Sequence, residues 1–211
     1  GTWNKRFAAD GYLFGTEPNA WLREHAALWN AGQRVLCVAD GEGRNSVWLA
    51  RRGLQVDAFD ISDIGVAKAR RLAEDQGTTV NFQVADCDGF DWPVAAYDGV
   101  AAIFIQFADP ALRGRLFAHI QRSLKPGGVL GIVEHRAAPG TSAEQAMGTG
   151  YMTEAMVIAL AESAGFVLEE KSEINANPRD TRDHPKGVWT LPPSLALGDT
   201  DREKYLAIGE S

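Results

Sequence analysis

"RVLCVADGEGRNSVWLA", residues 34–50, runs from an apolar stretch through two glycines flanking an acid and straight into a helical pattern. Residues 34–39 are nearly all apolar, which predicts a strand buried on both faces. Residues 44–52 carry the spacing of a helix. Between them, Gly41 and Gly43 lack the Cβ atoms that keep a ligand away from backbone N–H groups at a helix start. Alone, such a turn is either a tight connection without a ligand or the first half of a nucleotide-type site.

The alternation continues beyond it. Strands are expected at 55–60, 80–86, 97–105, 129–135 and 166–174, and helices at 62–76, from Pro110 onward, and at 153–164. Ser62 or Asp63 fits the cap of the second helix, and Asp109 with Pro110 the start of the third. "KPGG" (125–128) reads as a turn. Strands and helices at this spacing predict an α/β fold with a mostly parallel sheet and helices on both faces. Outside it lie two expected helices, 2–9 and 18–30, joined by "DGYLFGTEPN", and an irregular, proline-rich segment, 175–211, with a short helix near 200–206. The reading is one domain over 1–211: a helical lid at 1–33, a core at 34–174 and the irregular segment at 175–211.

Composition narrows the function. A chain of 211 residues can bury a sizeable core. It offers no apolar run long enough for a bilayer and no signal-peptide pattern. Two cysteines, without zinc-type spacing, suit a reducing cytoplasm. A net charge of −7 disfavours a broad phosphate-contacting surface, so nucleic acid is not the expected partner.

The strand ends carry the chemistry. Asp60 closes the second strand, about twenty residues past the glycine turn, where an acid accepts from both ribose hydroxyls. Ile61 follows and suits an adenine face, while Asp86 at the third strand suits an adenine amino group or is simply a helix cap. Nicotinamide dinucleotides and S-adenosylmethionine both fit such an edge. The turn holds Glu42 and follows Asp40, two acids that would repel a pyrophosphate and suit a sulfonium and an ammonium.

Together "VADGEGRNSVWLARRG", "VDAFDIS", "VADCDGFDWP", "YDGVAAIFIQFADP" and "LKPGGVL" resemble, in order and spacing, the class I S-adenosylmethionine-dependent methyltransferases. With "WNKRFAADGYLFGTEPN" in front, the resemblance is to the tellurite-resistance and thiopurine-type branch and covers residues 3–136. Beyond 137 the chain is more similar to another group of predicted bacterial methyltransferases, as a composite of two branches would be. The resemblance implies a three-layer Rossmann-like sandwich that binds S-adenosylmethionine. It puts Asp40, Gly41 and Gly43 on the methionine and ribose side, Asp60 on the ribose, and Ile61, Asp86 and Cys87 around the adenine. Residues from Ile103 to Gln106 would border the transferring methyl, and Tyr12, Phe14, Gly15 and Thr16 would line the lid. The usual glycine-rich "GxGxG" stands here as "ADGEG", with Ala39 in place of a glycine.

Methyl transfer needs alignment and exclusion of water more than a base, except for acceptors that must lose a proton. His135 is the candidate base, against its reading as an exposed strand-end residue; His25 and His119 read as surface positions on helices, and His184 could reach an acceptor from the tail. A small-molecule acceptor is expected. Alternatives are an NAD(P)-dependent oxidoreductase and an S-adenosylmethionine-binding protein without activity. The class usually ends in a seventh strand, for which no pattern follows Ile174, and an unpaired sheet edge predicts a homodimer.

Overall fold

A computed structural model describes all of residues 1–211. Val35, Leu36, Cys37 and Val38 are buried on both faces of β1 (Arg34–Val38), as a central parallel strand requires. On one side β1 pairs in parallel with β2 (Gln55–Asp60), from Arg34↔Gln55 to Val38↔Phe59, and β2 pairs with β3 (Asn81–Val84). On the other side β1 pairs with β4 (Tyr97–Ile103), and β4 with β5 (Leu124–Val133). The sheet order is β3-β2-β1-β4-β5, wholly parallel as the spacing predicts, in the Rossmann-like arrangement that the resemblance implies.

Helices connect the strands. Before β1 come α1 (Thr2–Phe7), α2 (Ala20–Glu24) and a 3₁₀ turn (Ala26–Leu28). Then follow α3 (Arg44–Arg51), α4 (Asp63–Asp75) and α5 (Pro110–Ser123). Ser62 caps α4 by accepting from the Gly65 N–H, and Asp109 accepts from the Leu112 N–H at the start of α5. The core gathers Leu22, Trp29, Val35, Leu49, Val66 and Ala101. Trp29 and Trp21 occupy the space over bare strand positions: a Cβ would stand 2.1 Å from the Trp29 ring at Gly99 and 2.4 Å from the Trp21 ring at Gly131. The segment from Ala20 to Trp29 is thus part of the core packing.

The chain divides into two compact units, Gly1–Ile105 with Arg115–Val133, and Gln106–Gly114 with Glu134–Ser211. The second unit contains α6 (Ala143–Ala146), α7 (Glu154–Ser163), a short extended segment β6 (Pro185–Val188) and α8 (Arg202–Ile208). A small cluster of Ala137, Tyr151 and Val188 forms its centre, with Trp189 packed against it.

Two expectations are corrected. "KPGG" belongs to β5, entered through an irregular pairing between Tyr97 and Gly99, and that strand stops at Val133. Residues 166–174 form no strand: Val167 is 84% exposed, and Arg136 and Lys171 pair with Glu173 and Glu154 in the same unit. A strand needs a neighbour to satisfy its backbone, and apolar patterning reports nothing about that neighbour.

Candidate active site

The turn after β1 is built by its own backbone. Gly43 N–H donates to Asp40 O (3.1 Å), and Gly41 and Gly43 adopt φ of +59° and +89°. Their bare faces are used inside the protein. A Cβ on Gly43 would stand 2.7 Å from Ala69 Cβ, so this glycine permits the close contact of α3 with α4. A Cβ on Gly41 would stand 3.2 Å from the end of the Phe7 ring, so α1 covers the turn. Phe7 stacks with Trp3 (5.4 Å between centroids) and meets Phe14 edge-on (6.4 Å). Nothing local in the sequence marks Phe7 as the cover of the glycine turn.

Asp40 lies in a narrow cleft with Cys37, Val38, Ala39, Asn45, Ala101 and Ile103. Its carboxyl accepts from the Ser46 hydroxyl and, at 3.3 Å, from the Ser46 N–H. Burial outweighs these bonds and pushes the carboxyl up to about 7, with the nearby Asp60 adding to the shift. The other acid of the turn behaves differently. Glu42 is buried, pairs with Lys68 Nζ at 2.8 Å and accepts from the Leu13 N–H at 2.7 Å. Its charge is spent inside the protein. The expectation that Glu42 repels a phosphate is corrected, and the charge argument rests on Asp40 alone.

Lys68 also donates to Ala9 O and Gly11 O, both at 2.7 Å, and so holds the start of the expected lid. Within that segment the Tyr12 hydroxyl donates to Lys68 O (3.4 Å), Gly15 N–H donates to Tyr12 O, and Arg44 Nη1 donates to Phe14 O (3.1 Å). Thr16 is exposed at its end. No feature of the sequence links Lys68 to the turn, because the contact spans 26 residues.

Asp60 is buried and already engaged: Oδ2 accepts from the Gly41 N–H (2.9 Å) and Oδ1 from the Ser62 N–H (2.8 Å). Burial raises its carboxyl above the usual range. Each carboxylate oxygen keeps a further lone pair, so a ribose hydroxyl still has an acceptor. Ile61, 59% exposed, stands beside it. Asp86 is exposed and its Oδ1 accepts from the N–H groups of Asp88 (3.1 Å) and Gly89 (2.6 Å), so it caps a turn of its own loop and not the helix of the alternative reading. Cys87 is buried, its thiol pushed up to about 12 by desolvation and neighbouring acids, and its carbonyl accepts from Trp92 Nε1. Ile103 is buried in the cleft beside Asp40. The structure therefore brings Asp40, Asp60 and Ile61, Asp86 and Cys87 to the carboxyl ends of three adjacent parallel strands.

The second unit holds the remaining candidates. His135 follows β5 by one residue beyond Glu134 and meets Tyr151 edge-on at 6.5 Å. It is no exposed strand end: burial lowers its imidazole to about 4, so it is neutral at pH 7. His184 is 5% exposed and bound to Asp180 at 2.8 Å, with Tyr151 donating to the same carboxylate. That histidine is locked in a buried network. In the first unit, His25 stacks on Trp21 (4.7 Å) and His119 on Trp92 (5.4 Å), so both have packing roles beyond the plain surface expected. Gln106 Oε1 is buried with no hydrogen-bond partner.

Comparisons with known proteins bear on the fold and on residues 35–128. Residues 35–128 match a family described as a methyltransferase domain. A curated relative from Talaromyces variabilis, an S-adenosyl-L-methionine-dependent Diels-Alderase, is 30% identical over 70% of this chain and 57% of its own length. A ubiquinone biosynthesis O-methyltransferase from Paramagnetospirillum magneticum is 36% identical over 51% of this chain and 43% of its own. Further relatives are named for tRNA and ribosomal RNA methylation. The crystal structure of an S-adenosylmethionine-dependent methyltransferase from Mesorhizobium loti superposes with a TM-score of 0.59 at 21% identity, covering 74% of this chain and 84% of that one, which shows the fold. The chain thus spans about half the length of the first curated relatives it matches.

Residues 35–128, which carry the strand-end acids, thus match a methyltransferase domain, and the fold is that of a solved S-adenosylmethionine-dependent methyltransferase. S-adenosylmethionine is the cofactor of that family, and the residues present fit it: a buried acid at the glycine turn, an acid at the β2 end and an exposed aliphatic side chain beside it.

Proposed function

We propose that the chain is an S-adenosylmethionine-dependent methyltransferase acting on a small-molecule acceptor, as one domain over 1–211, in the tellurite-resistance and thiopurine-type branch. The observation that carries the reading is Asp40, Asp60 and Asp86 at the ends of β1, β2 and β3, with Ile61 exposed between them. Bound S-adenosylmethionine supplies a methyl group on a sulfonium, already activated for in-line displacement. Asp40 with the turn of Gly41 and Gly43 holds the methionine and ribose side. Asp60 accepts from the ribose, while Ile61, Asp86 and Cys87 surround the adenine. Ile103 and Gln106 border the reacting end, and Tyr12, Phe14, Gly15 and Thr16 exclude water from it. His135, neutral at pH 7, accepts a proton when the acceptor must lose one.

A net charge of −7 supports an acceptor other than nucleic acid, although some relatives carry RNA in their names. No helix is long and apolar enough to cross a membrane, and the reading places the protein in the cytoplasm. β5 ends the sheet order, and its edge is the proposed homodimer contact. A second reading, a cofactor-binding protein that does not transfer methyl, draws on the relative named as a Diels-Alderase. Calorimetry with S-adenosylhomocysteine against NAD tests the cofactor; preferred binding of NAD overturns the proposal. Release of S-adenosylhomocysteine over thiols, phenols, amines and chalcogen oxyanions separates methyl transfer from mere binding. A monomeric mass by light scattering at high concentration would remove the dimer.

A further inference from the structure

We infer that Glu134 Oε2 and Gln106 Oε1 form a site for a hydrogen-bond-donating group, a hydroxyl or an ammonium, on the small-molecule acceptor. The inference rests on the methyltransferase reading and names the acceptor's chemistry. Both residues follow paired strands: Ile103↔Val133 closes the β4–β5 ladder, Phe104 N–H still reaches Val133 O (2.8 Å), and Glu134 and Gln106 come next along each chain segment.

Arg113 draws the two segments together. Its Nη1 donates to Glu134 Oε1 at 3.0 Å and its Nη2 to Ala108 O at 3.2 Å, in the loop that carries Gln106. The side chains of Glu134 and Arg113 are 6% and 7% exposed. Such a buried pair is tolerated when the remaining lone pairs are also satisfied. Here they are not: Glu134 Oε2 and Gln106 Oε1 are both shielded from solvent and both lack a partner.

Two orphaned acceptors in one small unit are costly, since each has given up its bonds to water. With the Glu134 carboxyl ionised both are acceptor oxygens, so the complement is a donor. A thioether, a thiolate or a chalcogen oxyanion has none to offer. Desolvation also raises the Glu134 carboxyl to about 7 despite Arg113, as expected where a charge lacks its full set of bonds. A donating group would lower it again.

The test uses the full chain labelled with carboxyl-¹³C glutamate, with and without S-adenosylhomocysteine. The Glu134 resonance is identified by its loss in Glu134→Gln, which keeps the Arg113 contact. Phenol and methylammonium are expected to move it saturably at millimolar concentration and to lower its midpoint by about one pH unit, while anisole, which has no donor, leaves it unmoved. By ligand-observed relaxation, affinity for the two donors should fall about tenfold in Glu134→Gln and in Gln106→Leu. A resonance that no fragment moves, or that anisole moves equally, overturns the site. Failure of S-adenosylhomocysteine to bind in calorimetry would instead strike the methyltransferase reading, and the fragment titration of the free protein would still report on the site.

Discussion

Lys68 Nζ lies 2.8 Å from Glu42 Oε1 and joins the glycine turn to the N-terminal segment through the carbonyls of Ala9 and Gly11. One ammonium thereby neutralises a buried acid and fixes a lid. Lys68→Met leaves Glu42 buried without its cation. Breaking a buried pair on one side costs about 3–5 kcal/mol, and urea melts should show a loss in that range. Glu42→Gln should cost less, because the Lys68 ammonium it leaves is the more exposed partner and keeps the carbonyls of Ala9 and Gly11. Equal losses would mean that the ion pair is not what holds the segment.

The two glycines of the turn should respond differently. Gly43→Ala forces a Cβ to within 2.7 Å of Ala69 Cβ and 2.9 Å of its Cα, so backbone must move. A thermal melt should show a loss of about 2–4 kcal/mol, combining overpacking with a left-handed φ. At Gly41 the neighbour is the tip of the Phe7 ring at 3.2 Å, which can yield. Gly41→Ala should cost about 1–2 kcal/mol, mainly for its φ. If Gly41→Ala proves the more damaging in the melt, the packing argument is wrong.

Asp40 titrates near 7, so pH should govern binding of a cationic ligand. The folded state without ligand holds a proton that the unfolded chain has lost, and its stability falls as pH rises from about 4 to 7. A bound ammonium or sulfonium favours the carboxylate. S-adenosylhomocysteine should therefore bind more tightly as pH rises from about 6 to 8, with net proton release. Calorimetry in buffers of different ionisation enthalpy reads that release, and Asp40→Asn should abolish it.

His135 shifts the other way. Its imidazole is lowered to about 4 from an ordinary value of 6.5, so the unfolded chain takes up the proton first. Stability should fall as pH drops from about 6.5 to 4, by about 3 kcal/mol at most. His135→Asn should flatten that acid limb in urea melts at successive pH values. It also follows that any ionisation near neutral pH in a rate profile belongs to another group, since His135 is already neutral there.

Much of the architecture was legible along the chain. The alternation of apolar runs and amphipathic stretches locates β1, β2, β4, α3, α4 and α5 to within a few residues, because burial imposes its period locally. It also puts Asp40, Asp60 and Asp86 at strand ends, and in parallel strands those ends share one edge.

Direction and partnership were decided only in three dimensions. Glu42 and Asp40 are near neighbours in the turn, yet one is neutralised by Lys68 and the other is left to Ser46 and a raised affinity for its proton. Asp86 turns back on its own loop, and residues 166–174 find no strand to pair with. Glu134 acquires half of a hydrogen-bonding shell from Arg113, twenty-one residues away. Local patterning reflects what each residue prefers to bury. Where a charge finds its counter-ion, or a strand its neighbour, depends on which distant segments the fold brings within a few ångströms.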